Sequence, residues 1–143
     1  MSEPIPVLLT LKSRQDSGGG GPEETELFTE GTLRRTPEGW EIAYEESELT
    51  GMAGVRTHFH LTEGRAVLHR GGGIETRMVF EEGAPHAFRY ATPYGSLSME
   101  AETERLRWRM SPHGGLLELR YRLTAEGQVA IRCRVSLSVR EKH

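Results

Sequence analysis

Apolar and polar residues alternate with a period of two along almost the whole chain, and no segment sustains the spacing of an amphipathic helix. Such alternation marks strands with one buried face, and Gly-bearing turns cut it at hairpin spacing. The predicted strands are Ile5 to Ser13, Thr25 to Arg35, Trp40 to Ser47, Val55 to Thr62, Arg65 to Arg70, Ile74 to Glu81, His86 to Thr92, Gly95 to Met110, Leu116 to Thr124 and Gln128 to Val139. Joined in order by short turns, they make an antiparallel meander. With an even count the first and last strands run antiparallel and can pair, which removes both exposed edges. The predicted fold class is therefore all-β: one domain, residues 1–143, forming a closed ten-stranded meander barrel. Residues 13–24 are expected to be a flexible Gly-rich loop and residues 48–54 a second long loop.

Turn chemistry predicts the registers. Thr36-Pro37-Glu38-Gly39 has Pro and Gly where a type I turn favours them, which pairs Leu33 with Ile42, Gly31 with Tyr44 and Thr29 with Glu46. Gly31 then leaves room for the Tyr44 ring. A two-residue Glu63-Gly64 loop pairs Leu61 with Ala66, Phe59 with Leu68 and Thr57 with Arg70, and the Gly71 to Gly73 loop pairs Leu68 with Thr76. The loop at Ala125 to Gly127 pairs Leu123 with Val129, Tyr121 with Ile131 and Leu119 with Cys133. In the eighth strand the apolar positions change from odd (Leu97, Met99, Ala101) to even (Leu106, Trp108, Met110). One extra residue near Thr103 or Glu104, a β-bulge, keeps both sets facing inward.

With these registers Tyr44, Glu46, Thr57, Arg70, Thr76, Tyr90 and Tyr121 point inward near the barrel end opposite the Thr36 to Gly39 turn. Leu33, Trp40, Ile42, Met78, Phe80 and Trp108 fill the other half as an apolar floor. An apolar body under a few convergent polar groups is the layout of a ligand-binding cup. The candidate ligand is a small amphipathic molecule whose head group is oriented by Tyr44, Glu46, Thr57, Arg70, Tyr90 and Tyr121. The alternative is a rim salt bridge between Glu46 and Arg70 over a packed interior.

Composition restricts the chemistry further. At 143 residues folding buries about 68 to 70% of the unfolded chain's surface, enough for one core. There are sixteen Arg and two Lys, twenty Glu, one Asp and no Asn. The single aspartate, Asp16, borders the Gly-rich stretch Ser17 to Gly21 and is poorly placed to orient a catalytic histidine, which argues against a Ser-His-Asp hydrolase. Metal cages built from Asp and Asn lack their ligands. No nucleophile with a base beside it is visible, so a non-catalytic protein without a cofactor is expected. Cys133, the one cysteine, shares an apolar face with Ile131 and Val135 and is read as a buried, inert thiol. The apolar run Ile5 to Leu11 is too short to span a membrane and lacks the flanks of a signal peptide, so no membrane association and a cytoplasmic setting are expected.

Charge is segregated along the chain: residues 1–103 carry nine basic and seventeen acidic side chains, residues 104–143 nine basic and four acidic. Arg105, Arg107, Arg109, Arg120, Arg122, Arg132 and Arg134 share the outward face of the last strands with only Glu118 among them. Several arginines face one another, which costs stability unless something compensates. An anionic partner, RNA or an acidic protein, would do so. Against RNA, no aromatic residues interleave these arginines as single-strand binders require, and a merely solvated charged face is the plainer reading. His58, His60, His69 and Glu75 are predicted to share another outward patch with the donor chemistry of a zinc site, but no further hydrogen-bonding layer is evident and no metal is expected. Gly18 to Gly21 and Gly71 to Gly73 are read as linker and turn, since neither opens a helix bearing Lys-Ser or Lys-Thr.

Four segments resemble the YwiB-like bacterial proteins, a family of unknown function. They are Tyr44-Glu45-Glu46-Ser47-Glu48-Leu49-Thr50-Gly51-Met52, Arg70-Gly71, Phe80-Glu81-Glu82-Gly83 and Tyr90-Ala91-Thr92-Pro93-Tyr94-Gly95. The resemblance runs from Ile5 to Val139 and implies a calycin-like or lipocalin-like barrel. It implies no activity and no catalytic residues. The Gly71 to Gly73 triplet and the histidine patch depart from the family's pattern. All of the segments except Phe80 to Gly83 fall at the polar mouth.

Overall fold

The expected alternation becomes ten strands in the computed structural model, whose described residues are 3–17, 20–46, 53–125 and 128–142. They are β1 (Ile5–Asp16), β2 (Glu23–Thr36), β3 (Gly39–Glu45), β4 (Arg56–Thr62), β5 (Arg65–Gly71), β6 (Thr76–Phe80), β7 (His86–Thr92), β8 (Gly95–Ser111), β9 (Gly114–Ala125) and β10 (Gln128–Glu141). All lie in one antiparallel sheet of order β6-β5-β4-β3-β2-β1-β10-β9-β8-β7. Alternate side chains converge inside: Val7, Leu9, Leu33, Ile42, Phe59, Leu61, Phe80, Leu117 and Leu137 are buried in one core. Each such burial contributes about 1.5–3 kcal/mol of transfer free energy, which is why the period of two dictates the curl of the sheet.

The first and last strands pair as expected, from Val7–Glu141 to Asp16–Arg132. The remaining gap lies between β6 and β7, which form no ladder, so the barrel is nearly closed. A bridge of two 3.0 Å backbone hydrogen bonds between Glu75 and Ala91 holds one end of this seam. At the other end Glu81 N–H donates to Thr103 Oγ1 at 3.2 Å. β6 has only five residues, and Pro85, just before β7, has no N–H to offer.

Several expected registers hold: Leu33–Ile42, Gly31–Tyr44, Leu61–Ala66, Phe59–Leu68 and Thr57–Arg70. The β8 bulge falls between Thr103 and Arg105, where the apolar parity changes. Thr29 does not pair with Glu46, because the β2–β3 ladder ends at Gly31–Tyr44 and Thr29 pairs with Leu9. Two registers are displaced by two residues. Leu68 faces Met78 and Arg70 faces Thr76, since Gly72 and Gly73 adopt φ of 101° and 135° and the loop widens through Glu75. Ile131 faces Leu123, Cys133 faces Tyr121 and Val135 faces Leu119, because Ala125 pairs directly with Gln128 and a register shift follows between Val129 and Ile131. A slip of two leaves every side chain on its expected face.

The first hairpin also runs past its expected limits at Ser13 and Thr25. Ser13 and Thr25 hydroxyls share a 2.6 Å hydrogen bond and Arg14 pairs with Glu24 at 3.3 Å, so polar contacts extend the ladder where the apolar pattern fades. Of the second long loop, residues 48–52 lie outside the described residues.

A side chain at Gly31 has no space: a Cβ there would run into the Ala43 carbonyl oxygen and come within 2.8 Å of Leu9 Cδ1. Gly31→Ala should therefore destabilise the protein by about 1–3 kcal/mol in urea unfolding. Gly20→Ala, at a position with nothing within 4 Å, should change it by less than about 0.5 kcal/mol. Equal stabilities of the two variants would refute this packing.

Candidate functional site

Polar side chains from four neighbouring strands meet inside the barrel at the end away from the Thr36 to Gly39 turn. Glu46 follows β3 and is anchored by its own N–H, which donates to Val55 O at 2.8 Å. Its side chain is 1% exposed, and Thr57 Oγ1 donates to Glu46 Oε1 at 2.6 Å. The Tyr44 hydroxyl lies beside Glu46 and Thr57. Arg70 brings Nε to 3.8 Å from Glu46 Oε1, an ion pair too long for a hydrogen bond. Thr76 stands opposite Arg70. On the far wall Tyr121 packs its ring 4.7 Å from that of Phe80 and faces Cys133, a buried thiol.

Burial dominates the electrostatics here. It pushes the Tyr44 hydroxyl well above the ordinary tyrosine value, with the negative charge of Glu46 adding to the effect and Arg70 opposing it. Burial and the neighbouring Cys133 raise Tyr121 in the same direction, and burial raises Cys133 itself. Both phenols and the thiol are thus held neutral around an ion pair.

The group is not saturated. Glu46 Oε2, Arg70 Nε and Thr76 Oγ1 are buried without any hydrogen-bond partner, three of the five such atoms found among the described residues. Each costs about 1–3 kcal/mol if left bare. A cleft of about 660 Å³, lined by residues 29–32, 43–46 and Arg56, borders Tyr44 and Glu46 where the β2–β3 ladder ends.

The structure thus brings together Tyr44, Glu46, Thr57, Arg70 and Thr76, with Tyr121 facing them. Tyr90 instead pairs with Leu97 and packs, half-buried, against the core. Sequence reasoning left Cys133 out of the group because the expected register put it opposite Leu119.

The apolar floor at the other end is not sealed. Leu33, Ile42, Met78 and Phe80 are buried, but Trp40 and Trp108 are partly exposed on the wall of an open groove of about 1280 Å³. Trp108 Nε1 donates to Thr62 O at 2.9 Å, tying β8 to the end of β4. A Trp beside each of two tight turns was the available sequence signal for this groove.

Outside, the arginines line up as expected and further. Arg105, Arg120, Arg134 and Arg14 face one another across β8, β9, β10 and β1, and only then does Glu24 follow on β2. Arg122 faces Arg132 and Glu102, and takes Glu102 as its ion-pair partner at 2.5 Å. Arg107 faces Glu118 and Arg109 faces Leu116.

The histidine patch forms only in part. His58 faces His69, with ring centroids 6.5 Å apart, and stacks on His60 at 6.4 Å. Glu75 is not there: the displaced register puts Arg77 opposite His69, and Glu75 Oε1 instead accepts from Gly72 N–H at 3.2 Å. The carboxylate beside the histidines is Glu41, 3.8 Å from His58 and 3.6 Å from His60. Burial, opposed by Glu41, holds His58 below the ordinary imidazole value. Among the described residues no group of three His, Cys, Asp or Glu is arranged to hold a metal ion.

These features define the class: a nearly closed ten-stranded β-barrel with an unsaturated polar group buried at one end. The chain belongs to the family described as a domain of unknown function, DUF1934, whose profile matches residues 9–137. Its fold is that of the YwiB protein from Bacillus subtilis, whose crystal structure superposes with a TM-score of 0.86 at 21% identity, covering 100% of this chain and 96% of that one. No curated protein matches. Among the described residues no helix is long and apolar enough to cross a membrane.

The two raised phenols set a pH limit. The ordinary tyrosine value of 10.0 applies to the unfolded chain, and both groups lie above it when folded. Their contribution to stability is complete below pH 10 and is lost as pH rises above it. Stability should fall by up to about 1.4 kcal/mol per pH unit for each of the two tyrosines. Followed by phenolate absorbance, Tyr44 and Tyr121 should ionise only as the protein unfolds; their ionisation in the folded barrel would contradict the burial.

Proposed function

We propose that the protein binds a small amphipathic molecule at the polar end of the barrel, reached through the cleft bordering Tyr44 and Glu46. The observation that carries this reading is the trio of buried, unpartnered atoms Glu46 Oε2, Arg70 Nε and Thr76 Oγ1. Folded proteins rarely leave such atoms bare. Here a carboxylate oxygen needs a donor while a guanidinium N–H beside it needs an acceptor. A hydroxyl or primary amide supplies both, so the head group is expected to be of that kind, with an apolar body lying toward Tyr44 and Tyr121. The cleft's volume falls within the usual range for small-molecule sites.

Native mass spectrometry of the purified protein at low salt should reveal a small-molecule adduct that disappears on denaturation. In Arg70→Ala the adduct should fall by about tenfold or more, the loss of one charge-assisted hydrogen bond. Bare protein in gentle conditions, or an adduct retained by Arg70→Ala, would sink this reading.

A second reading, docking of an anionic partner on the outward arginine face, is favoured by the four-guanidinium row from Arg105 to Arg14. Like charges directly opposed on a sheet are destabilising, and a polyanion laid across the row would relieve them. Such binding should weaken steeply with salt. Arg120→Glu/Arg134→Glu should abolish it and leave any small-molecule adduct intact; retention of the anionic partner by that variant would exclude the face.

A further inference from the structure

We propose that the free edge of β8 beside the open groove binds an extended peptide of another protein, one that alternates acidic and apolar residues and adds itself as a strand. The observation is a mismatch of lengths. β7 covers β8 only from Gly95 to Ala101, and the segment around Glu82 covers Thr103 through a short parallel bridge. β9 covers the other side of β8 as far as Ser111. From Arg105 to Met110 the side of β8 away from β9 is therefore bare. No backbone hydrogen bond reaches it among the described residues. In an antiparallel ladder every second residue turns its N–H and C=O away from the neighbouring strand, so this stretch offers a row of unused donors and acceptors.

The groove lies along that edge and supplies the side-chain pockets. Its walls include Leu106, Trp108 and Met110 from β8 and Trp40 across from them. Alternating with these on β8 are Arg105, Arg107 and Arg109, none of which makes an ion pair among the described residues. An added strand shares the pleat of β8, so its residues fall alternately beside the apolar row and beside the arginine row. Apolar side chains belong on the first and carboxylates on the second. A second copy of this chain is disfavoured as the occupant, because pairing β8 with itself would set arginine against arginine. Glu118, opposite Arg107, offsets one of the three charges; Arg105 and Arg109 remain for the ligand.

The inference does not use the buried polar group; it shares Arg105 with the outward arginine row, and the backbone hydrogen bonds it requires of the β8 edge, which docking on that row does not, keep the two distinguishable. Its test uses an acetylated nonapeptide alternating Glu and Val, titrated into the isotope-labelled full chain. Amide exchange in the stretch from Arg105 to Met110 should slow by about tenfold on binding, as new backbone hydrogen bonds form. The same peptide with alternate backbone nitrogens methylated keeps all its side chains and should bind about tenfold or more weakly. Replacing its Glu by Lys, or introducing Arg105→Glu/Arg109→Glu into the protein, should abolish binding; those two arginines are exposed, so the variant is expected to fold. Equal binding of the methylated peptide, protection appearing elsewhere than β8, or no binding of the Glu-Val peptide would each overturn the proposal.

Discussion

The ladder between β1 and β10 joins residues from opposite ends of the sequence, Val7 with Glu141 and Asp16 with Arg132, and the rest of the barrel depends on it. On one side hangs the run β2 to β6, on the other β9 to β7. The buried polar group is divided between these halves: Glu46, Thr57, Arg70 and Thr76 come from the first, Tyr121 and Cys133 from the second. The shared core does likewise, since Leu9 and Leu33 pack in one cluster with Leu117 and Leu137. Hydrogen bonding of the two central strands is thus what turns two open sheets, each with one apolar face, into a single enclosed interior.

That interior accommodates an ion pair because the groups around it are held neutral or are themselves donors. Thr57 satisfies one carboxylate oxygen of Glu46, while the second oxygen and the Nε of Arg70 remain unsatisfied. A pair of this kind is poor evidence for stability, since the desolvation cost approaches the attraction regained.

Much of this was legible before any coordinates. Strand number, the β8 bulge and the inward set Tyr44, Glu46, Thr57 and Arg70 follow from a period of two and from turn chemistry, both local properties. What escaped was set by longer-range geometry. The registers after Gly71 and after Ala125 slipped by two, because glycines at positive φ and bulges alter loop length without leaving a mark on side-chain parity. The same slip removed Glu75 from the histidine patch and brought Cys133 to Tyr121. The unequal coverage of β8 was invisible for another reason: it depends on where β7 stops, and nothing in the alternation of β8 itself reports whether a neighbour lies beside it.

The meander also dictates an order of events during folding. Among the described residues eight of its nine ladders join strands that follow one another in sequence, whereas the ninth, β1 with β10, requires the most distant strands to meet. Loop-closure entropy and the slowness of non-local pairing both fall on that single step. Local hairpins are therefore expected to form before the edges of β1 and β10 meet. Polar outward residues on those edges, Lys12 and Arg14 on β1 and Arg132 and Arg134 on β10, discourage strangers from pairing there first. Part of the arginine bias of this barrel is then protection against aggregation during its slowest moment.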